Sequence, residues 1–167
     1  MTFSQLRAIR FLPSAVLLLA TSGCGLGGAA ATVSVPHPSP ATVKLCRKLH
    51  SVLPKRVDGL VRHTTSPASD LTTAWGNPAI VMRCGVPTPT TLQPGNSKFN
   101  PTADAASING VDWLPEWLPD HSVGCTTTQL KAYIEVTIPR KYAGSDGDMS
   151  SLTDLASAIK EAIPGTL

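Results

Sequence analysis

The first 24 residues constrain this chain more than any other stretch. Arg7 and Arg10 precede an apolar run, Phe11–Ala20 (FLPSAVLLLA), which gives way to Thr21-Ser22-Gly23 and then Cys24. A basic start, a hydrophobic run and a small-residue close is the order of an export signal. The run is about ten residues, roughly half of what a membrane-spanning helix needs. Cleavage before Cys24 removes residues 1–23 from the fold. It also delivers everything downstream to an oxidising compartment, where thiols pair.

The segment resembles the lipobox of bacterial lipoproteins, in which a cysteine at the cleavage point receives a diacylglyceryl group. Ser22 and Gly23 fit, and Thr21 stands where Leu or Val is usual. The resemblance implies lipidation at Cys24, with the folded part on the outer face of the cell membrane. One acyl chain binds a bilayer only marginally, whereas two or more hold firmly. The alternative is a plain secreted protein cleaved after Ala29, Ala30 or Ala31.

Two of the 14 basic residues and none of the 11 acids lie in residues 1–23, so the rest of the chain carries a net charge of +1. That balance, with export, argues against nucleic acid as a partner. The 15 prolines and 13 glycines demand long irregular segments, and 5% aromatic residues make a modest core that a covalent staple would help. With Cys24 reserved for lipid, Cys46, Cys84 and Cys125 permit one bridge and one leftover thiol. None shows metal-ligand spacing. His50, four residues after Cys46, is a lone coincidence, and neither a metal nor a cofactor is expected.

Gly25–Pro40 (GLGGAAATVSVPHPSP) reads as a flexible tether, with His37 solvated in it. The expected organisation is a leader over 1–23, a tether over 24–40 and one domain over 41–167. Ser39 is an N-cap with Pro40 at the first helical position. Leu45, Cys46, Leu49, Val52 and Leu53 form one apolar stripe, and Pro54 ends the helix. Lys44, Arg47, Lys48, Lys55, Arg56 and Arg62 face Asp58 alone among acids. A solvated helix face is the plainer reading of that run, preferred to a patch for anionic lipid headgroups or an acidic wall polymer.

Val57–His63 reads as a short strand, Thr64–Thr73 as a polar loop and Trp75–Pro78 as a tight turn. Ala79–Cys84 (AIVMRC) is an apolar, β-prone buried strand. A core-facing cysteine on the helix and another at the end of a central strand make Cys46–Cys84 the expected bridge. Pro87–Asp104 is a long surface loop. Ser107–Leu114 is a strand, or a hairpin if Asn109-Gly110 forms a type I′ turn. Ala132, Ile134, Val136 and Ile138 alternate with more polar residues in the clearest strand, which Pro139 stops. Lys141–Met149 is a polar loop. Ser151 with Asp154 resembles a capping box ahead of the helical stripe Leu152, Leu155, Ala156, Ile159 and Ile163. The expected fold is α+β, a small antiparallel sheet of about four to five strands packed by two helices, with one disulfide.

Several stretches together resemble the actinobacterial lipoprotein family catalogued as domain of unknown function 3515. They are Cys46 with Leu49 and Leu53-Pro54, Ala74-Trp75-Gly76-Asn77-Pro78, Arg83-Cys84-Gly85-Val86-Pro87, Gly110-Val111-Asp112-Trp113 and Glu135-Val136-Thr137-Ile138-Pro139. The resemblance spans roughly residues 43–163. It implies the Cys46–Cys84 pair and leaves Cys125 as the odd thiol, read as a small buried hydrophobe. It implies no activity, because none is established for the family.

No G-x-S-x-G elbow, H-E-x-x-H motif or phosphate loop is present, and His37, His50, His63 and His121 scatter over different segments. The segment Asp112–Asp120 (DWLPEWLPD) offers the carboxylates of Asp112, Glu116 and Asp120, with Trp113 and Trp117 as aromatic faces that stack on sugar rings. Pro115 and Pro119 forbid a helix that would align the acids. The plainer reading is a strand end turning a corner, with Trp113 in the core and Trp117 on the rim. Arg83 sits among apolar strand residues and needs solvent or a carboxylate. A structural pair with Glu135 is preferred over anion binding.

The expected function is a non-enzymatic binding or accessory module outside the membrane, contacting envelope proteins or wall polymer. Trp113, Trp117 and Arg83 are its candidate contact residues. The alternatives are a wall-glycan hydrolase using Asp112 or Glu116 and a diffusible secreted protein.

Overall fold

Ser39 starts the first helix as its sequence requires. Its Oγ accepts a hydrogen bond from the Thr42 N–H at 3.3 Å, and Pro40 follows at the first helical position. The resulting α1 (Pro40–Val52) buries Cys46 and Leu49, and Leu53 turns extended ahead of Pro54, where pre-proline sterics disfavour the helix. The computed structural model describes residues 30–166, so the leader, Cys24 and the first part of the expected tether lie outside the described residues.

Ten strands follow the chain: β1 (Ala31–Thr32), β2 (Arg56–Val57), β3 (Leu60–His63), β4 (Thr65–Ser66), β5 (Thr72–Trp75), β6 (Ile80–Cys84), β7 (Ala106–Ile108), β8 (Val111–Trp117), β9 (Val123–Thr127) and β10 (Ile134–Ile138). Eight of them form one antiparallel sheet in the order β2-β3-β5-β6-β10-β9-β8-β7, while β1 and β4 make a separate parallel pair. Besides α1 there are a single-turn helix α2 (Arg140–Ala143) and α3 (Thr153–Ala162). The α+β class holds, but the sheet is larger than the four to five strands expected and three helices replace two.

Turn chemistry explains part of the excess. Val57–His63 is a hairpin instead of one strand, because Asp58 (φ 49°) and Gly59 (φ 71°) supply the two left-handed residues of a two-residue turn. Asn109 (φ 49°) and Gly110 (φ 77°) do the same between β7 and β8, so Ser107–Leu114 takes its hairpin form. Thr64–Thr73, expected as a loop, contributes β4 and the start of β5. β9 escapes pattern reading because all five of its residues are buried, which erases the alternation that marks a strand.

The tether expected over 24–40 is docked in its described part. Ala31 pairs with Thr65, Val33 donates its N–H to the Ser66 carbonyl at 3.0 Å, and Val33 and Pro36 are buried. The Ser151–Asp154 capping box does not form either. Ser151 lies inside a short 3-10 turn (Ser150–Leu152), buried, with its hydroxyl unpartnered. The Ser150 N–H goes to Asp148 Oδ1 at 2.7 Å, and Asp154 Oδ2 instead accepts the Asp58 N–H at 2.8 Å across the domain.

The helices cover one sheet face. Ile80, Met82 and Cys84 of β6 and Ile134, Val136 and Ile138 of β10 point inward, where they join Leu49, Leu53, Leu155 and Ile159. The alternate positions Val81, Arg83, Glu135 and Thr137 stay half exposed, the one-sided pattern of an antiparallel sheet. Cys46 on α1 and Cys84 at the end of β6 are disulfide-bonded with Cα atoms 5.6 Å apart, as expected.

Candidate functional site

Trp113 and Trp117 lie on one strand and have opposite fates. Trp113 is fully buried in the core with its indole N–H unpartnered, so it is not a contact residue, contrary to one of the sequence expectations. Trp117, four residues on, is 57% exposed. β7 ends opposite Trp113, which leaves Pro115, Glu116 and Trp117 without a strand on that side. Pro115 is tolerated for that reason: a proline without an N–H fits a strand where no ladder bond is needed.

Trp117 is one wall of a hollow of about 190 Å³, which Pro115, Glu116, Val123, Asp146, Gly147 and Met149 complete. Gly147 makes room for the ring. A Cβ there would stand 2.9 Å from Trp117 Cζ2. The indole therefore rests against backbone on one side and is open on the other. Glu116 and Asp146 border it with carboxylates, and Thr91 Oγ1 donates to Glu116 Oε1 at 3.3 Å. An aromatic face with carboxylate acceptors at its rim suits a ring that carries hydroxyl donors. Asp146, Gly147 and Met149 had no sequence signal, because the loop that brings them to Trp117 lies about 30 residues further along the chain.

The other expected acids are not gathered here. Asp112 lines a separate hollow with Thr128 and Gln129. It lies four residues before Glu116, about 13 Å along a strand, beyond the spacing at which two carboxylates flank a glycosidic bond. Asp120 closes its own turn, accepting the Ser122 N–H at 3.1 Å. Its carboxyl is held below the usual range, first by the Ser122 hydroxyl and then by that N–H.

Arg83 is committed to the fold. Its Nη1 donates to Glu135 Oε1 at 2.9 Å, its Nε to the Ser34 carbonyl at 3.1 Å, and Arg83 and Glu135 are register partners in neighbouring strands. Cys125 is buried and free, and desolvation pushes its thiol up to about 12. Among the described residues no three His, Cys, Asp or Glu side chains converge as a metal site, and no helix is long and apolar enough to cross a membrane.

A family model described as a protein of unknown function (DUF3515) matches residues 14–166. No curated protein and no solved structure matches the chain.

Proposed function

We propose that this chain, which belongs to the DUF3515 family of proteins of unknown function, is a lipid-anchored, non-enzymatic binding module of the cell envelope. Its leader is residues 1–23, its lipid is on Cys24, and it meets a wall polymer through Trp117. The observation that carries the binding reading is Trp117 itself, exposed to solvent yet backed by Gly147 and bordered by Glu116 and Asp146. Tryptophan is enriched among the residues that carry binding energy at contact sites. The two carboxylates disfavour an anionic partner and favour the neutral, hydroxyl-rich rings of wall glycan. The Cys46–Cys84 disulfide supports the exported reading, since such bonds persist in oxidising compartments.

Two measurements test this. Intact mass of the protein taken from membranes, expected to start at Cys24 with added lipid, tests the anchor. A lipid-free mass starting near Thr32 would make it a diffusible secreted protein. Co-sedimentation with purified insoluble wall glycan tests the site. Wild type should pellet and Trp117→Ala should stay in solution. Equal pelleting of both would remove Trp117 as the contact.

A further inference from the structure

At the far end of the sheet from Trp117 a cavity of about 490 Å³ opens between the C-terminal end of α1 and β3. That volume lies within the range of small-ligand sites. His50, Lys55, Val61, Arg62, His63 and Thr64 line it, and no carboxylate is among the lining residues. Arg62 is fixed in position at the helix end, donating to the carbonyls of Leu53 at 3.3 Å and His50 at 3.0 Å. Those two bonds leave further N–H groups of the guanidinium for a ligand. His63 holds its ring against the Gly76 carbonyl, 2.9 Å from Nε2. Lys55 is exposed at the rim. Asp70, the acid that faces this cluster, is shared between His50 at 3.8 Å and Arg47 at 3.6 Å. Beside Lys55 and Arg62, Val61 stands 57% exposed. Positive charge around an uncovered apolar side chain matches the phosphate and the acyl-glycerol boundary of a lipid.

The path of the chain gives the second argument. β1 runs parallel to β4, with Ala31 opposite Thr65. Ala30, the first described residue, therefore lies toward Thr64, which is a wall of the cavity. Seven residue steps separate Cys24 from Ala31, and seven steps span at most about 25 Å. A lipid on Cys24 would keep the cavity that close to the headgroups.

We infer that this cavity binds the phosphate headgroup of an anionic phospholipid in the membrane that carries the protein, with Lys55 and Arg62 on the phosphate and Val61 at the acyl boundary. The inference rests on the anchored reading proposed above. It separates the two sites: β8 lies five strands beyond β3, about 24 Å at the usual strand spacing, so a headgroup in the cavity leaves Trp117 that far across the sheet.

The test uses mature protein purified from membranes in neutral detergent. It is titrated with dihexanoyl phosphatidylglycerol, dihexanoyl phosphatidylcholine and inorganic phosphate, reading the backbone amide NMR shifts of Val61–Thr64. Saturable shifts with the phosphatidylglycerol alone are expected. Lys55→Glu and Val61→Asp, both at exposed positions, should each weaken them about tenfold. An equal response to phosphatidylcholine, full reproduction of the shifts by inorganic phosphate, or unchanged affinity in both variants would overturn the inference. Intact mass of the same sample separates the two readings. Lipidated protein that ignores phosphatidylglycerol would remove the cavity site and leave the anchor, whereas unlipidated protein that binds it would do the reverse.

Discussion

Gly147 and Trp117 are in contact through a gap that admits no side chain: a Cβ on residue 147 would come within 2.9 Å of the indole, and the Gly147 backbone has φ +75°. Gly147→Ala should therefore move the ring and also cost about 1 kcal/mol for the left-handed backbone. Trp75 and Trp113 are fully buried, so Trp117 is the readily quenched tryptophan. Acrylamide quenching of wild type should show one accessible component out of three. Trp117→Phe should abolish that component, and Gly147→Ala should change it while the fold persists by circular dichroism. Three equally quenched tryptophans would contradict the assigned burial.

The Cys46–Cys84 bond spans 38 residues. In the chain-entropy account a loop of that length contributes about 4 kcal/mol. For a domain of this size that is roughly 10–15 °C in melting temperature. Thermal melts with and without reductant, and of Cys46→Ala/Cys84→Ala, should show that drop. Cys125→Ala should leave the reductant sensitivity intact.

Burial raises the Cys125 thiol from 9.0 to about 12. A raised thiol binds its proton more tightly in the folded state than in the unfolded one. The stability it contributes is complete below pH ~9 and is lost as pH climbs from there toward 12. Denaturant unfolding of wild type and Cys125→Ala between pH 8 and about 10.5 should therefore converge as the pH rises. A thiol reagent at pH 8 should react with Cys125 only after unfolding.

His50 titrates below its ordinary value of 6.5, chiefly through burial and then through Arg62, while Asp70 opposes both. A histidine lowered by the fold is neutral in the native state and charges more readily when unfolded, so its contribution is present above pH 6.5 and declines as pH falls through that value. Asp70→Asn removes the opposing charge. It should lower the His50 midpoint further, followed by the ring proton shifts in NMR, and deepen the acid loss of stability. An upward movement would mean that Asp70 does not face the ring.

Much of the fold was legible from local rules. Ser39-Pro40 marks the start of α1, Asn109-Gly110 marks a hairpin, and the alternation of Ile134, Val136 and Ile138 marks the central strand. Each of these depends only on residues within a few positions of one another. The Asp58-Gly59 turn carries the same signal, but β2 is only two residues long, too short for an alternation that would mark a second strand. The pairing of Arg83 with Glu135, and of Cys46 with Cys84, followed from placing each on an element with a known inward or outward face.

The sequence by itself determined the cysteine pairing, the α+β class and the two helical stripes, because hydrophobic period and turn chemistry are properties of short stretches. The tertiary structure alone decided that β9 is a strand, since burial on both faces leaves no alternation to detect. It decided that Ala31–Pro38 lies on the domain, because the partner strand Thr65–Ser66 is more than 30 residues away. It also split Trp113 from Trp117. Two tryptophans four residues apart on one strand look alike until the end of β7 and the approach of Gly147 leave one in the core and the other open to solvent.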